Sequence, residues 1–170
     1  ATITGGGVVT VSGNSMKAVT LNGIAGATAG LTSDALATLT LNAQKSALAT
    51  TITDTKTTAL TVNVDGAGYS AAGAAVAGVS VAAGAATKTI TLNATGSKSN
   101  VAVSGAAATT LNITGSAAVT LATAIATATS IDGSASTGAL TLGTLNAATK
   151  TVSTGTGKDS LTYSATVAGT

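Results

Sequence analysis

Apolar residues recur along this chain as a short word, apolar–x–apolar, whose middle position is usually Thr or Ser. One set of words reads Val19/Leu21, Leu39/Leu41, Leu60/Val62, Val79/Val81, Val101/Val103, Val119/Leu121, Leu140/Leu142 and Leu161/Tyr163, with first members 20, 21, 19, 22, 18, 21 and 21 residues apart. A second set falls roughly midway: Val9/Val11, Ala29/Leu31, Ile52, Ile90/Leu92, Leu111/Ile113, Ile131 and Val152. It thins out around 67–74, where only Tyr69 and small residues stand. Within each word the alternation has period two, so one face of an extended segment carries Val, Leu or Ile and the other Thr, Ser, Asn or Ala. Turn pairs follow the words, as at Asn22-Gly23, Asp65-Gly66, Ser104-Gly105, Thr114-Gly115 and Asp132-Gly133, and these residues tolerate the φ > 0 that sharp corners need.

The pattern predicts an all-β chain, a right-handed parallel β-solenoid of about eight coils of about 20 residues with two strands per coil. In this reading Leu39, Leu60 and Val79 sit one above another along a common axis. Ala is the best helix former, but here Gly and β-branched Thr and Val interrupt it and no 3.6-residue stripe appears. Antiparallel hairpins in a sandwich would share the half-coil spacing; recurrence of similar words at the double period favours the stack. With ~4.8 Å added per coil, the rod would be roughly 38 Å long. The most apolar stretch, Ala71–Ala86, is shorter than the ~20 residues of a spanning helix and reads as a low-volume turn, so no membrane insertion is expected.

Composition removes most catalytic chemistry. The 170 residues contain no His, Cys, Pro, Trp or Phe, and every side-chain charge is an Asp or a Lys. A His-based triad and a soft-metal site are therefore out of reach. The aspartates Asp34, Asp54, Asp65, Asp132 and Asp159 are far apart in sequence, and no enzymatic activity is expected. The net charge of +2 comes from scattered lysines with only Tyr69 and Tyr163 able to stack on a base, which is no footprint for nucleic acid. The sequons at Asn93 and Asn112 are unremarkable in so Thr-rich a chain. The start, ATITGGGVVT, has neither a basic region nor an apolar run, and the whole, residues 1–170, is expected to be one solenoid segment of a longer protein. Terminal coils would expose strand edges, so adjoining domains or other copies of the chain are the expected partners.

Residues 154–162, TGTGKDSLT, fit the nonapeptide G-G-x-G-x-D-x-U-x in all but the first Gly. Gly155 and Gly157 would make a turn whose carbonyls face an ion, and Asp159 would supply a carboxylate. Calcium takes six to eight oxygens. One turn offers half a site at most, and the stretch one coil earlier, Ala135–Gly138, has no matching Asp. A Gly-rich corner without metal is the competing reading, so no cofactor is expected within the segment itself.

The Ala/Thr/Gly/Val composition, words such as AVTLNG, TTLNITGSAAVTL and GALTLGTLNAATKTV, and the terminal TGTGKDSLT together resemble the repetitive body of RTX-type bacterial surface-layer proteins and large secreted adhesins. The resemblance implies a type I secreted, extracellular protein of the bacterial cell surface, with calcium bound in the full-length protein and Gly155, Gly157 and Asp159 as the matching metal residues. A stiff structural module of a surface layer, sheath or adhesin stalk is the expected function. The alternative is an ice-binding solenoid, whose exposed ladder would include Thr20, Thr40, Thr61, Ser80, Thr120 and Thr141, with Thr10 and Thr91 on the other set. A β-helical polysaccharide-cleaving enzyme would need a cleft with convergent Asp and Lys.

Overall fold

A computed structural model describes residues 1–123 and 125–163, the Tyr163 side chain excepted. The described residues form two eight-stranded sheets, and every neighbouring strand pair within them is parallel. The first sheet runs β1 (Thr2–Thr4), β3 (Ala18–Asn22), β5 (Thr38–Asn42), β7 (Ala59–Asp65), β9 (Thr89–Ala94), β11 (Thr110–Gly115), β13 (Ser130–Asp132) and β15 (Thr151–Ser153). The second runs β2 (Val9–Ser12), β4 (Thr28–Thr32), β6 (Leu48–Thr53), β8 (Val79–Ala82), β10 (Ser99–Ser104), β12 (Val119–Leu121), β14 (Leu140–Leu145) and β16 (Ser160–Tyr163). Alternate strands go to alternate sheets, so the chain winds through a β-solenoid of eight coils. No helix long and apolar enough to cross a membrane occurs among the described residues.

The period-two words explain the core. In the first sheet Val19 pairs with Leu39, Leu39 with Val62, Val62 with Leu92 and Leu92 with Ile113, a column of aliphatic side chains almost closed to solvent. The second sheet answers with Leu48, Val79, Val101 and, beside them, Val119, Leu140 and Leu142. Each coil buries its apolar face only because its neighbours cover it, and the backbone hydrogen bonds between parallel strands tie every coil to the next.

One expectation fails in its phase. Leu39 lies opposite Val62, and Leu60 lies opposite Ile90 in the same sheet. Val79 belongs to the second sheet, between Leu48 and Val101 of its neighbours. The three residues do not form one column. The cause is an insertion of about half a coil between β7 and β8. Paired residues elsewhere are about 20 apart, whereas Leu60 and Ile90 are 30 apart, as are Asn63 and Asn93. Half a coil shifts a strand from one sheet to the other without disturbing the apparent spacing of the words.

The inserted residues fold back on themselves. Tyr69 and Ala75 form an antiparallel bridge, Ser70 N–H donates to the Ala74 carbonyl at 2.8 Å, and Val76 N–H donates to the Gly68 carbonyl at 2.8 Å. The base of this small hairpin is anchored in the rod. Gly68 N–H donates to Gln44 O at 2.8 Å, and Ala67 N–H donates to the buried Ser99 hydroxyl at 3.2 Å. At Gly68, with φ +78°, a Cβ would overlap the Asn100 carbonyl, so only glycine lets the hairpin leave the rod here. Ala71–Ala86, expected to be one low-volume turn, is only partly so: residues 71–78 are the exposed side of this hairpin and the run-up to β8, while Val79–Ala82 is β8 itself, whose alternating Val79 and Val81 enter the core.

Candidate functional site

The nonapeptide residues lie at the corner leading into β16, against the coil before it. A Cβ on Gly155 would overlap the Ser136 carbonyl, and one on Gly157 the Gly138 carbonyl. Thr156 N–H donates to Ser136 O at 3.2 Å, and Asp159 Oδ1 accepts the Leu140 N–H at 2.9 Å. The two glycines permit close backbone stacking and the carboxylate fastens one coil to the next. Among the described residues no three acidic side chains come together as a metal-holding group.

The other aspartates have comparable work. Asp34 accepts from the Thr55 N–H and hydroxyl at 2.8 and 2.9 Å, with Lys56 Nζ 3.4 Å from its other oxygen. Those two hydrogen bonds and the adjacent lysine hold its carboxyl below the ordinary carboxylate range. Asp132 accepts the Ser153 hydroxyl at 2.7 Å and the Ser134 N–H at 2.9 Å, and these donors bring its pKa down to about 2. Asp54 is buried, which by itself raises its pKa. The Thr57 and Lys56 N–H groups, at 2.7 and 2.8 Å from Oδ1, outweigh that and leave it lowered.

The outward side of the first sheet is a grid of hydroxyls and amides. Thr38, Thr61, Thr91, Asn112, Asp132 and Ser153 are successive partners in one column. In the next, Asn63 donates to Thr40 at 3.4 Å, Asn93 to Asn63 at 3.0 Å, and Thr114 to Asn93 at 3.1 Å. The expected ladder of Thr20, Thr40, Thr61, Ser80, Thr120 and Thr141 is divided between the sheets, and so are Thr10 and Thr91, expected together on the other set. Thr20, Thr40, Thr61 and Thr91 are on this sheet, while Thr10, Ser80, Thr120 and Thr141 are on the second. The phase shift at the insertion separates them.

The insertion also creates a concavity that the sequence reading missed. A cavity of about 310 Å³ opens at the corner between β5, β7 and the hairpin, lined by Asn42, Ala43, Lys45, Asp65, Tyr69 and Lys98 among others. Lys98 Nζ stands 4.3 Å from the centroid of the Tyr69 ring, within cation–π range. Asp65 Oδ1 accepts the Ser97 N–H at 2.8 Å. Asp65 and the two lysines therefore converge in one concavity, the arrangement that a β-helical polysaccharide-cleaving enzyme would need, with one carboxylate in the lining where glycoside hydrolysis ordinarily uses two. These residues are brought together by stacking across unequal coils. The one hint in the sequence is that the second set of words fails where Tyr69 stands.

Compared with protein-family models, curated proteins and solved structures, the chain matches none.

Proposed function

We propose that this chain is a structural module of an extracellular bacterial assembly, a stiff rod in a surface layer, sheath or adhesin stalk, without catalytic activity. The observation that carries this reading is the use made of its few charged groups. Asp34, Asp65, Asp132 and Asp159 each accept a hydrogen bond from a neighbouring coil, and Asp54 closes its own corner. Buried Gln44 spans two coils through both faces of its amide, with Oε1 accepting the Ile24 N–H and Nε2 donating to the Ile24 carbonyl. The aspartates and Gln44 are thus engaged in cohesion within and between coils, which suits a load-carrying element. Other copies of the chain or adjoining domains would be its partners, and type I secretion its route. Calcium, if the full-length protein uses it, would need ligands in addition to Asp159.

The test is electron microscopy of the intact source surface, with an antibody raised against the rod. Label at regular lattice or filament positions supports the proposal; label confined to the cell interior rejects it. Ice binding is the second reading, favoured by the column Thr38–Thr61–Thr91 at strand spacing on one face. Thermal hysteresis of the purified chain, abolished by Thr61→Lys, would put it first; none at millimolar protein would remove it.

A further inference from the structure

We propose that the corner cavity beside the inserted hairpin is a binding site for an anionic saccharide, a sugar ring bearing a carboxylate or a phosphate. The inference is independent of whether the rod belongs to a surface assembly.

Three observations meet at this place. First, the cavity concentrates the chain's scarce recognition chemistry. The sequence has two aromatic residues and seven lysines, yet one tyrosine and two of the lysines line this single concavity with Asp65. The residues come from three coils, Lys45 ahead of the insertion, Tyr69 within it and Lys98 after it, so no local repeat of sequence groups them. Second, the hairpin is an ordered wall. Its backbone bonds close it on itself, and the Gly68 and Ala67 anchors fix it to the rod. Third, the lining contains local backbone strain. Ala43, with φ 49°, is the sole non-glycine residue at positive φ among the described residues. The neighbouring coils place Gly23 and Gly66 at the matching corner, with φ 58° and 63°. A methyl group is kept where glycine is the relaxed choice, and strained backbone tends to persist at ligand sites.

The chemistry of the lining selects the ligand. A tyrosine ring with small Ala and Gly neighbours suits the C–H face of a sugar, while Asn42, Ser70, Ser97 and Asp65 offer hydroxyl partners. Lys45 and Lys98 are exposed cations at the rim, and together they favour an acid group over a neutral sugar. The volume lies near the lower end of the roughly 300–1,000 Å³ of small-ligand sites, enough for one or two sugar rings.

Two-dimensional ¹H–¹⁵N NMR titration of the whole chain tests this, with glucuronic acid, glucose 6-phosphate, glucose, acetate and inorganic phosphate as probes. The expected result is saturable shifts at the Gly66, Gly73 and Ser97 amides with one or both charged sugars, at least about tenfold tighter than with glucose or either simple anion. Glucuronic acid alone would identify a sugar acid, glucose 6-phosphate alone a sugar phosphate, and both the shared chemistry. Lys45→Gln and Lys98→Gln should each weaken binding severalfold; Tyr69→Ala should abolish it and Tyr69→Phe retain it. Circular dichroism checks that each variant is folded, and Lys45→Gln, at an exposed position, reads the site without touching the core. No shifts with any probe, equal binding of glucose, equal binding of acetate or phosphate, or charged-sugar binding untouched by the Lys45 and Lys98 variants would each overturn the proposal.

Discussion

The carboxylate of Asp159 accepts the backbone N–H of Leu140 at 2.9 Å, across the joint between two successive coils. Gly155 and Gly157 stack beside that joint with no room for a Cβ. Asp159→Ala should therefore cost on the order of 1.5–3 kcal/mol, the worth of a hydrogen bond to a charged group. Gly155→Ala should cost about 3 kcal/mol or more, since the Ser136 carbonyl must move. Gly30, where a Cβ would meet open space, is the control, and its replacement by Ala should be neutral or stabilise by up to about 1 kcal/mol. Urea denaturation measures all three. Added calcium should leave the wild-type midpoint where it is; a calcium-dependent rise that Asp159→Ala abolishes would make Asp159 a ligand instead.

Thr50 occupies an aliphatic column, between Ala29 and Val81 of the adjoining coils. Its hydroxyl is buried and has no hydrogen-bond partner. Val has nearly the same shape without the hydroxyl. Thr50→Val should raise stability by about 1–2 kcal/mol, the cost of an unmet buried hydroxyl. Thr50→Ser keeps the hydroxyl and loses the methyl, so it should lower stability. The pair of melting temperatures separates desolvation from packing.

The class of fold was readable because period-two words and Gly-rich corners report strand and turn directly, as at Val19-Thr20-Leu21 followed by Asn22-Gly23. The phase of the coils was not. Words from the two sheets are chemically alike, and an insertion of about half a coil leaves their spacing intact, so Leu60 and Val79 looked like successive rungs while belonging to opposite sheets. The corner cavity was hidden for the same reason, because Lys45, Tyr69 and Lys98 become neighbours only once unequal coils are stacked. The glycines and Asp159 of 154–162 were visible in the sequence, but their stacking against the preceding coil was not, because spacing alone does not say which backbone they meet.

Ala43 carries the strain that its glycine counterparts avoid. A left-handed Cβ costs roughly 1–2 kcal/mol, and the extra chain entropy of glycine returns about half of that. Ala43→Gly should thus raise stability by under about 1 kcal/mol. Ala43→Val, β-branched at φ 49°, should lower it markedly. If both variants melt with the wild type, the corner is more relaxed than its dihedral indicates.

Acid should loosen the coils over a defined window. The carboxyls of Asp34, Asp54 and Asp132 are all held below their ordinary range, Asp132 at about 2. Groups depressed in the folded state stabilise it above the unfolded carboxylate pKa of about 3.9, and the contribution is lost as pH falls through the folded values. The melting temperature should be level above about pH 5 and decline between about pH 4 and 2. Asp132→Asn should flatten part of that decline. Asp34 and Asp132 are at the surface, where water and salt screen them, so the decline should be gradual.

The hairpin should be separable from the rod it interrupts. Val76 N–H meets the Gly68 carbonyl at 2.8 Å, so the ends of Tyr69–Val76 lie side by side and Gly68 can be joined to Ala77 over a short distance. The anchors at Ala67 and Gly68 remain, as do the strands on either side. The hairpin is largely exposed, and shortening a surface loop carries a small entropic term, a fraction of a kcal/mol per halving of loop length (about 0.6). Excision of Tyr69–Val76 should leave a cooperatively folding solenoid, with far-ultraviolet circular dichroism unchanged and stability within about 2 kcal/mol of wild type. The deletion removes Tyr69 and the hairpin wall of the cavity, so any ligand of that corner should be lost while the rod persists. If the deleted chain instead fails to fold, the insertion is part of the solenoid's stability and not an appendage to it.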